Sequence, residues 1–135
     1  MEIHLDKDRE VKVGALGQFS FPAGFYYYCG SAQRGLEARI ERHARREKRC
    51  HWHIDYLTCA AKVNAAWAWN QPREGECYLS GKLLEQEGTG LAVKGFGASD
   101  CNCSGHLIYS SRRIAVSNVM DKGEYLGCWQ FSAGV

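Results

Sequence analysis

Apolar positions alternate in short runs near the two ends of the chain and recur at helical spacing between them. Ile3 to Leu5 and Val11 to Val13 read as short strands around the charged turn Asp6-Lys7-Asp8, a hairpin that leads toward the aromatic run Phe25 to Tyr28. Gly14, Gly17, Pro22 and Gly24 mark the intervening loop. From Leu36 the period changes. Leu36, Ile40 and Ala44 share one helical face, while Arg39, Arg42, His43 and Arg46 gather on another. His51 to Ala60 reads as a second helical segment, with Trp52 and Leu57 as core anchors, and Val63 to Trp69 as an alternating strand ended by Pro72. Glu76 opens a third helix whose Leu79, Leu83 and Leu84 form a buried stripe. Gly88 to Gly90 and Gly95 to Gly97 bound a segment expected to be mobile, and His106 to Tyr109 with Ile114 to Val116 suggest a second hairpin. The pattern predicts an α+β fold: a small antiparallel sheet flanked by helices, with a short C-terminal β extension.

A chain of 135 residues with 45% hydrophobic content and two prolines buries one sizeable core, so we read a single domain over residues 1–135, its core at about 3–110 and its extension at 111–135. Charged residues from Glu2 to Glu10 break any apolar leader, and no later run is long enough to span a bilayer, which predicts a soluble, cytoplasmic protein with no membrane partner. Seven cysteines, an odd number without an export signal, predict reduced thiols rather than a disulfide framework. The net charge is only +2, but the stretch from Arg34 to Arg49 holds seven of the 17 basic residues against three glutamates. Positive charge is therefore local, as a phosphate-binding face requires.

The most informative run is Gly24-Phe25-Tyr26-Tyr27-Tyr28-Cys29-Gly30-Ser31-Ala32, then Gly35-Leu36-Glu37-Ala38-Arg39-Ile40-Glu41-Arg42-His43. A strand, a glycine-punctuated loop and a basic helix put a hydroxyl near a cation, a pairing suited to phosphodiester chemistry. The run resembles the second motif and first helix of the GIY-YIG endonucleases. His51-Trp52-His53-Ile54-Asp55-Tyr56-Leu57 and Gly95-Phe96-Gly97-Ala98-Ser99-Asp100-Cys101-Asn102-Cys103, with His106-Leu107, look like signatures of one uncharacterised branch, sometimes fused to endonuclease III-like proteins. The resemblance covers roughly residues 3–110 in the same order.

The resemblance implies an endonuclease that hydrolyses DNA phosphodiesters, nonspecifically or by structure, in DNA repair or processing, with one divalent ion, Mg²⁺ or Mn²⁺. Arg39 corresponds to the residue that stabilises charge on the phosphate, a task its planar fork suits. Tyr28 matches the motif tyrosine beside the scissile phosphate. An ordinary phenol titrates near pH 10, so Tyr28 needs the metal and Arg39 to act as a base or relay. His43 shares a helix face with Arg39 and is expected to accept a proton from water or to hold Tyr28. Glu76 matches the glutamate that binds the metal, whose hard character suits one carboxylate, waters and a substrate phosphate. Tyr26, Arg42, Arg46, His51, His53, Asp55 and Asp100 are further candidates for lining the cleft or touching substrate. At i, i+2 and i+4, His51, His53 and Asp55 do not converge on one metal along a helix.

Two alternatives stand beside this reading. The Gly-x-Tyr element that opens the first strand in the family aligns ahead of Met1, so either Tyr26 substitutes for its tyrosine or the domain is a catalytically weakened or inactive nucleic-acid-binding module on the same scaffold. Separately, Cys101, Cys103 and His106 are thiol and imidazole ligands that need one more partner to complete a zinc shell. Their spacing is not that of a common zinc knuckle or finger, and structural zinc is the disfavoured reading.

Overall fold

The aromatic run becomes a central strand because Tyr26 and Tyr27 point to opposite faces of a sheet that is covered on both sides. The fold is described from a computed structural model over residues 1–32, 34–72, 74–97 and 104–131. Eight strands are present among them: β1 (Glu2–Leu5), β2 (Arg9–Val13), β3 (Gly17–Phe21), β4 (Gly24–Tyr28), β5 (Lys62–Asn70), β6 (Thr89–Leu91), β7 (Leu107–Ser110) and β8 (Glu124–Gln130). Three α-helices accompany them: α1 (Leu36–Ala44), α2 (His53–Thr58) and α3 (Gly75–Leu84).

Six strands form one sheet in the order β6-β7-β4-β1-β5-β8, with every neighbouring pair antiparallel. The strands β2 and β3 pair with each other as a separate ribbon. This is the expected α+β architecture with a C-terminal strand. Alternation sorts the sheet side chains into two cores. Ile3, Leu5, Tyr26, Val63 and Leu107 pack with Ile54 and Leu57 of α2 and with Val11, Val13 and Phe21 of the ribbon. Tyr27, Cys29 and Ile108 pack on the other face with Leu83 of α3 and Val116.

Several local expectations are corrected. β1 and β2 are not partners: β1 lies between β4 and β5, while β2 turns back on β3. The alternation is the same in either pairing, so pattern alone does not choose the partner. Ile114 to Val116 does not form a hairpin with β7, which pairs instead with β4 and β6; a short 3₁₀ turn occupies Val116–Asn118. The segment after Gly88 contains β6 rather than a loop throughout. Leu84 is exposed, leaving Leu83 as the fully buried member of its stripe. Cys29, Cys50, Cys59 and Cys128 are free thiols as expected, but Cys77 is disulfide-bonded. Among the described residues no helix is long and apolar enough to cross a membrane.

Candidate functional site

The loop from Cys29 to Gly35 carries the chain from the end of β4 to the start of α1, so the last tyrosine of the strand faces the first turns of the helix. Tyr28, Arg39, His43 and Trp52 line one cavity of about 130 Å³ whose floor includes Ala66 and Trp67 of β5. Gly30, Ser31, Ala32, Leu36, Trp67 and Leu79 are shared with an adjoining groove of about 370 Å³ that Glu76 and Arg34 line. The four residues expected to carry the chemistry thus lie along one continuous depression.

Each is held by identifiable contacts. Arg39 donates from Nη1 to the Ser31 carbonyl at 2.7 Å, and its guanidinium lies 4.9 Å from the centre of the Trp52 ring. These contacts leave most of its N–H groups for a ligand. The Tyr28 ring is bracketed by two glycines. A Cβ at Gly30 would sit 2.8 Å from it and a Cβ at Gly97, where φ is +70°, would sit 3.1 Å away. Burial, reinforced by the Glu76 carboxylate, pushes the Tyr28 phenol well above its ordinary range, against the opposing pull of Arg39. Tyr28 is therefore a neutral hydroxyl at neutral pH.

His43 is buried on α1 with its ring edge toward both Tyr28 and Trp52. Burial lowers its pKa to about 4, the attraction of Asp55 being outweighed with help from Lys48, Arg42 and Arg39. Its Nδ1 lies 3.5 Å from Asp55 Oδ1 and has no hydrogen-bond partner among the described residues. His43 is thus a neutral imidazole beside a carboxylate.

Asp55 has no exposed surface. Burial alone would raise its pKa, but two hydrogen bonds from Arg42 and the backbone N–H groups of Trp52 and His51 lower it to about 2. Asp55 is accordingly an internal anchor that closes the start of α2, and Arg42 is its partner. Lys48 closes the C-terminal end of α1: its ammonium lies within hydrogen-bonding distance of the carbonyls of Arg42, His43 and Arg45 and of Thr58 Oγ1, which share its three N–H donors.

The remaining candidates separate. Tyr26 is fully buried with its hydroxyl donating to the Pro22 carbonyl, on the core side of β4 and outside the cavity lining. Arg46 lines a different groove with Glu41 and Phe131. His53 accepts the Gly97 N–H on Nδ1 at 3.0 Å, which fixes its proton on Nε2. His51 is exposed and packs against Trp52. Asp100, Cys101 and Cys103 lie outside the described residues. His106 is buried, with Nδ1 3.8 Å from Glu76 Oε1 and Nε2 3.5 Å from Cys77 Sγ. Among the described residues no group of three or more His, Cys, Asp and Glu side chains gathers as a metal shell.

Two features escape a reading by residue pattern. Trp52, expected in the core, is 38% exposed and carries both Arg39 and Arg42 against its ring. The two arginines at i and i+3 were the available signal, since such a pair presents two cations to one neighbour. The proximity of Cys77 to His106 had no signal at all, because 29 residues separate them.

The arrangement defines an α+β domain with a basic, aromatic-walled cavity at the junction of a strand, a loop and a helix. The family model described as a domain of unknown function, DUF123, matches residues 1–126, and the chain belongs to that family. No curated protein and no solved structure matches the chain.

Proposed function

We propose that this protein is a GIY-YIG-type endonuclease that hydrolyses DNA phosphodiester bonds with a divalent cation, Mg²⁺ or Mn²⁺. The observation that carries the reading is that Tyr28, Arg39 and His43 line one cavity whose continuation holds Glu76. Membership of DUF123 agrees with the resemblance of the Gly24–Ala32 and Gly35–His43 runs to that superfamily.

The residues suit the cation. Glu76 sits in the first turn of α3 with its carboxylate partly exposed in the groove, and a single carboxylate with space for water and a phosphate oxygen matches Mg²⁺ preferences. When bound, the ion would supply charge stabilisation to the leaving oxygen. Arg39, already steered by Ser31 and Trp52, offers its remaining N–H groups to a non-bridging phosphate oxygen, where negative charge grows in the transition state. His43, neutral above about pH 4, takes the proton of the attacking water. The tautomer with its proton on Nδ1, which stands 3.5 Å from Asp55 Oδ1, would leave the Nε2 lone pair for that task. Tyr28 stays protonated and orients the water through its hydroxyl rather than deprotonating it.

The test is cleavage of supercoiled plasmid and of a branched oligonucleotide with Mg²⁺ or Mn²⁺, comparing the natural chain with Glu76→Ala. Cleavage lost in the variant supports the nuclease. Equal cleavage by both removes Glu76 from the mechanism, and salt-sensitive binding without cleavage favours a nucleic-acid-binding module on this scaffold.

A further inference from the structure

We propose that Cys50 and Cys59 are a dithiol that closes to a disulfide by exchange with a small-molecule disulfide such as oxidised glutathione, and that the bridge locks α2 in place. The two sulfurs are 3.7 Å apart, in van der Waals contact, and both side chains are free thiols with partial exposure. A disulfide bond is about 2.05 Å long, so the bridge needs only a small further approach, which rotation about the Cα–Cβ bonds supplies. Cys50 lies in the loop ahead of α2, and Cys59 is the residue that ends the helix.

The fold builds this contact from hydrogen bonds on both sides. Arg42 Nη2 donates to the Arg49 carbonyl at 2.9 Å, and the His51 N–H donates to Asp55 Oδ2 at 2.8 Å, so both neighbours of Cys50 are fixed. The Cys59 N–H donates to the Asp55 carbonyl at 3.0 Å. Arg42 and Asp55 are themselves joined by two hydrogen bonds, so a single ion pair positions both cysteines. Holding one thiol against the other raises its effective concentration there and favours the bridge over two separate thiols. Burial pushes the Cys50 thiol above its ordinary value, with Cys59 adding to the rise and Lys48 opposing it. Stabilised thiolates make a disulfide easy to reduce, and a thiol raised in this way favours the closed form.

The exchange balances in two steps. The thiolate of one cysteine attacks a sulfur of oxidised glutathione, breaks its S–S bond and expels one glutathione thiolate. The thiolate of the other cysteine attacks the protein sulfur of the mixed disulfide, forms the Cys50–Cys59 bond and expels the second. The two cysteine protons end on the two departing thiolates. The pair is oxidised by two electrons, and oxidised glutathione is reduced to two thiols. The bridge ties the residue before His51 to the residue after Thr58 and so encloses Trp52, which walls the cavity, and Asp55.

This site does not depend on the nuclease reading, because sulfur pairing is measured without a nucleic acid. Trypsin cleaves after Arg49 and Lys62, so Cys50 and Cys59 fall in one peptide. The full chain is equilibrated at several ratios of reduced to oxidised glutathione, folded and in urea, then quenched with acid, alkylated, digested and weighed. We expect that peptide to lack two hydrogens and to carry no label. Half-bridging in the folded chain should come at a ratio more reducing than in urea by about tenfold or more, a shift of about 30 mV or more. Oxidation should also raise the thermal midpoint of the natural chain by up to about 10 °C, a rise that Cys50→Ser, which keeps every other cysteine, should lack. Two labels at every ratio, a glutathione adduct without a bridge, either cysteine joined to a different one, a half-point no more reducing than in urea, or an equal rise in Cys50→Ser overturns the proposal.

Discussion

Arg42 donates to both carboxylate oxygens of Asp55, at 2.9 and 3.0 Å, and so fastens α1 to α2 through a carboxylate with no exposure to water. Losing one member of a buried pair leaves the other charge uncompensated, at a cost of about 3–5 kcal/mol. Arg42 is itself one quarter exposed, so Arg42→Ala belongs at the low end, about 3 kcal/mol. Arg42→Lys should recover only part of that, because an ammonium does not reproduce the two parallel bonds. Chemical denaturation of the three proteins checks this, and an unchanged midpoint in Arg42→Ala would show that the pair does not hold the helices.

The neutral His43 sets an acid limit. Its folded pKa of about 4 lies below the ordinary 6.5, so between these values the unfolded chain binds the extra proton. Stability is full above about pH 6.5 and declines as pH falls toward 4, by at most about 1.4 kcal/mol per pH unit for one group. Asp55, lowered from 3.8 to about 2, adds a second loss below about pH 4. His43→Gln should flatten the first window and leave the second. Denaturation midpoints at several pH values from 7 to 3 distinguish the two; an identical profile in the variant would reject the assignment to His43.

Tyr28 depends on the missing side chains on either side of it. In Gly30→Ala the new methyl would meet the ring at 2.8 Å, and in Gly97→Ala a strained positive φ is added to a 3.1 Å approach. Overpacking of this kind costs about 1–3 kcal/mol and displaces the ring. Both variants should lose cleavage at temperatures where circular dichroism still reports a folded chain. Cleavage at the natural rate in both would mean that the ring position is not critical.

Arg39 should report on phosphate in two ways. Arg39→Ala should lower the cleavage rate by about 10²- to 10³-fold, as loss of a charge-stabilising donor does. It should also reduce the dependence of log K on log salt by about 0.9, the share of one neutralised phosphate. Binding to a fluorescent duplex at several salt concentrations measures the slope. An unaltered slope would place Arg39 off the phosphate path.

The sequence was most readable where chemistry and periodicity coincide. The strand-loop-helix run from Gly24 to His43 announced its elements, and Glu76 opened a helix as its flanks implied. Strand partners were not readable, since Ile3 and Val11 present the same alternation whether β1 meets β2 or, as here, lies between β4 and β5. Asp55 illustrates a second limit. Its spacing from His51 suggested a shared face, but its role follows from an arginine 13 residues away and two backbone N–H groups that only the fold brings within reach. Trp52 fails for the opposite reason: a tryptophan is an apolar residue by composition, and its exposure comes from two guanidinium partners that occupy the place of a core.

The sheet order also sets a timetable for synthesis. β4 receives β7 only after more than 70 further residues have been made, and β5 receives β8 later still. Pairings between such distant segments form slowly, because long loops must close before any contact rewards them. A nascent chain emerging from a ribosome can shape its ribbon and α1 early, while His106, adjoining β7, reaches Glu76 among the last events. The wall of the groove beside Glu76 therefore closes only once β7 has been made, so it takes its final shape after the strand-loop-helix run that faces it.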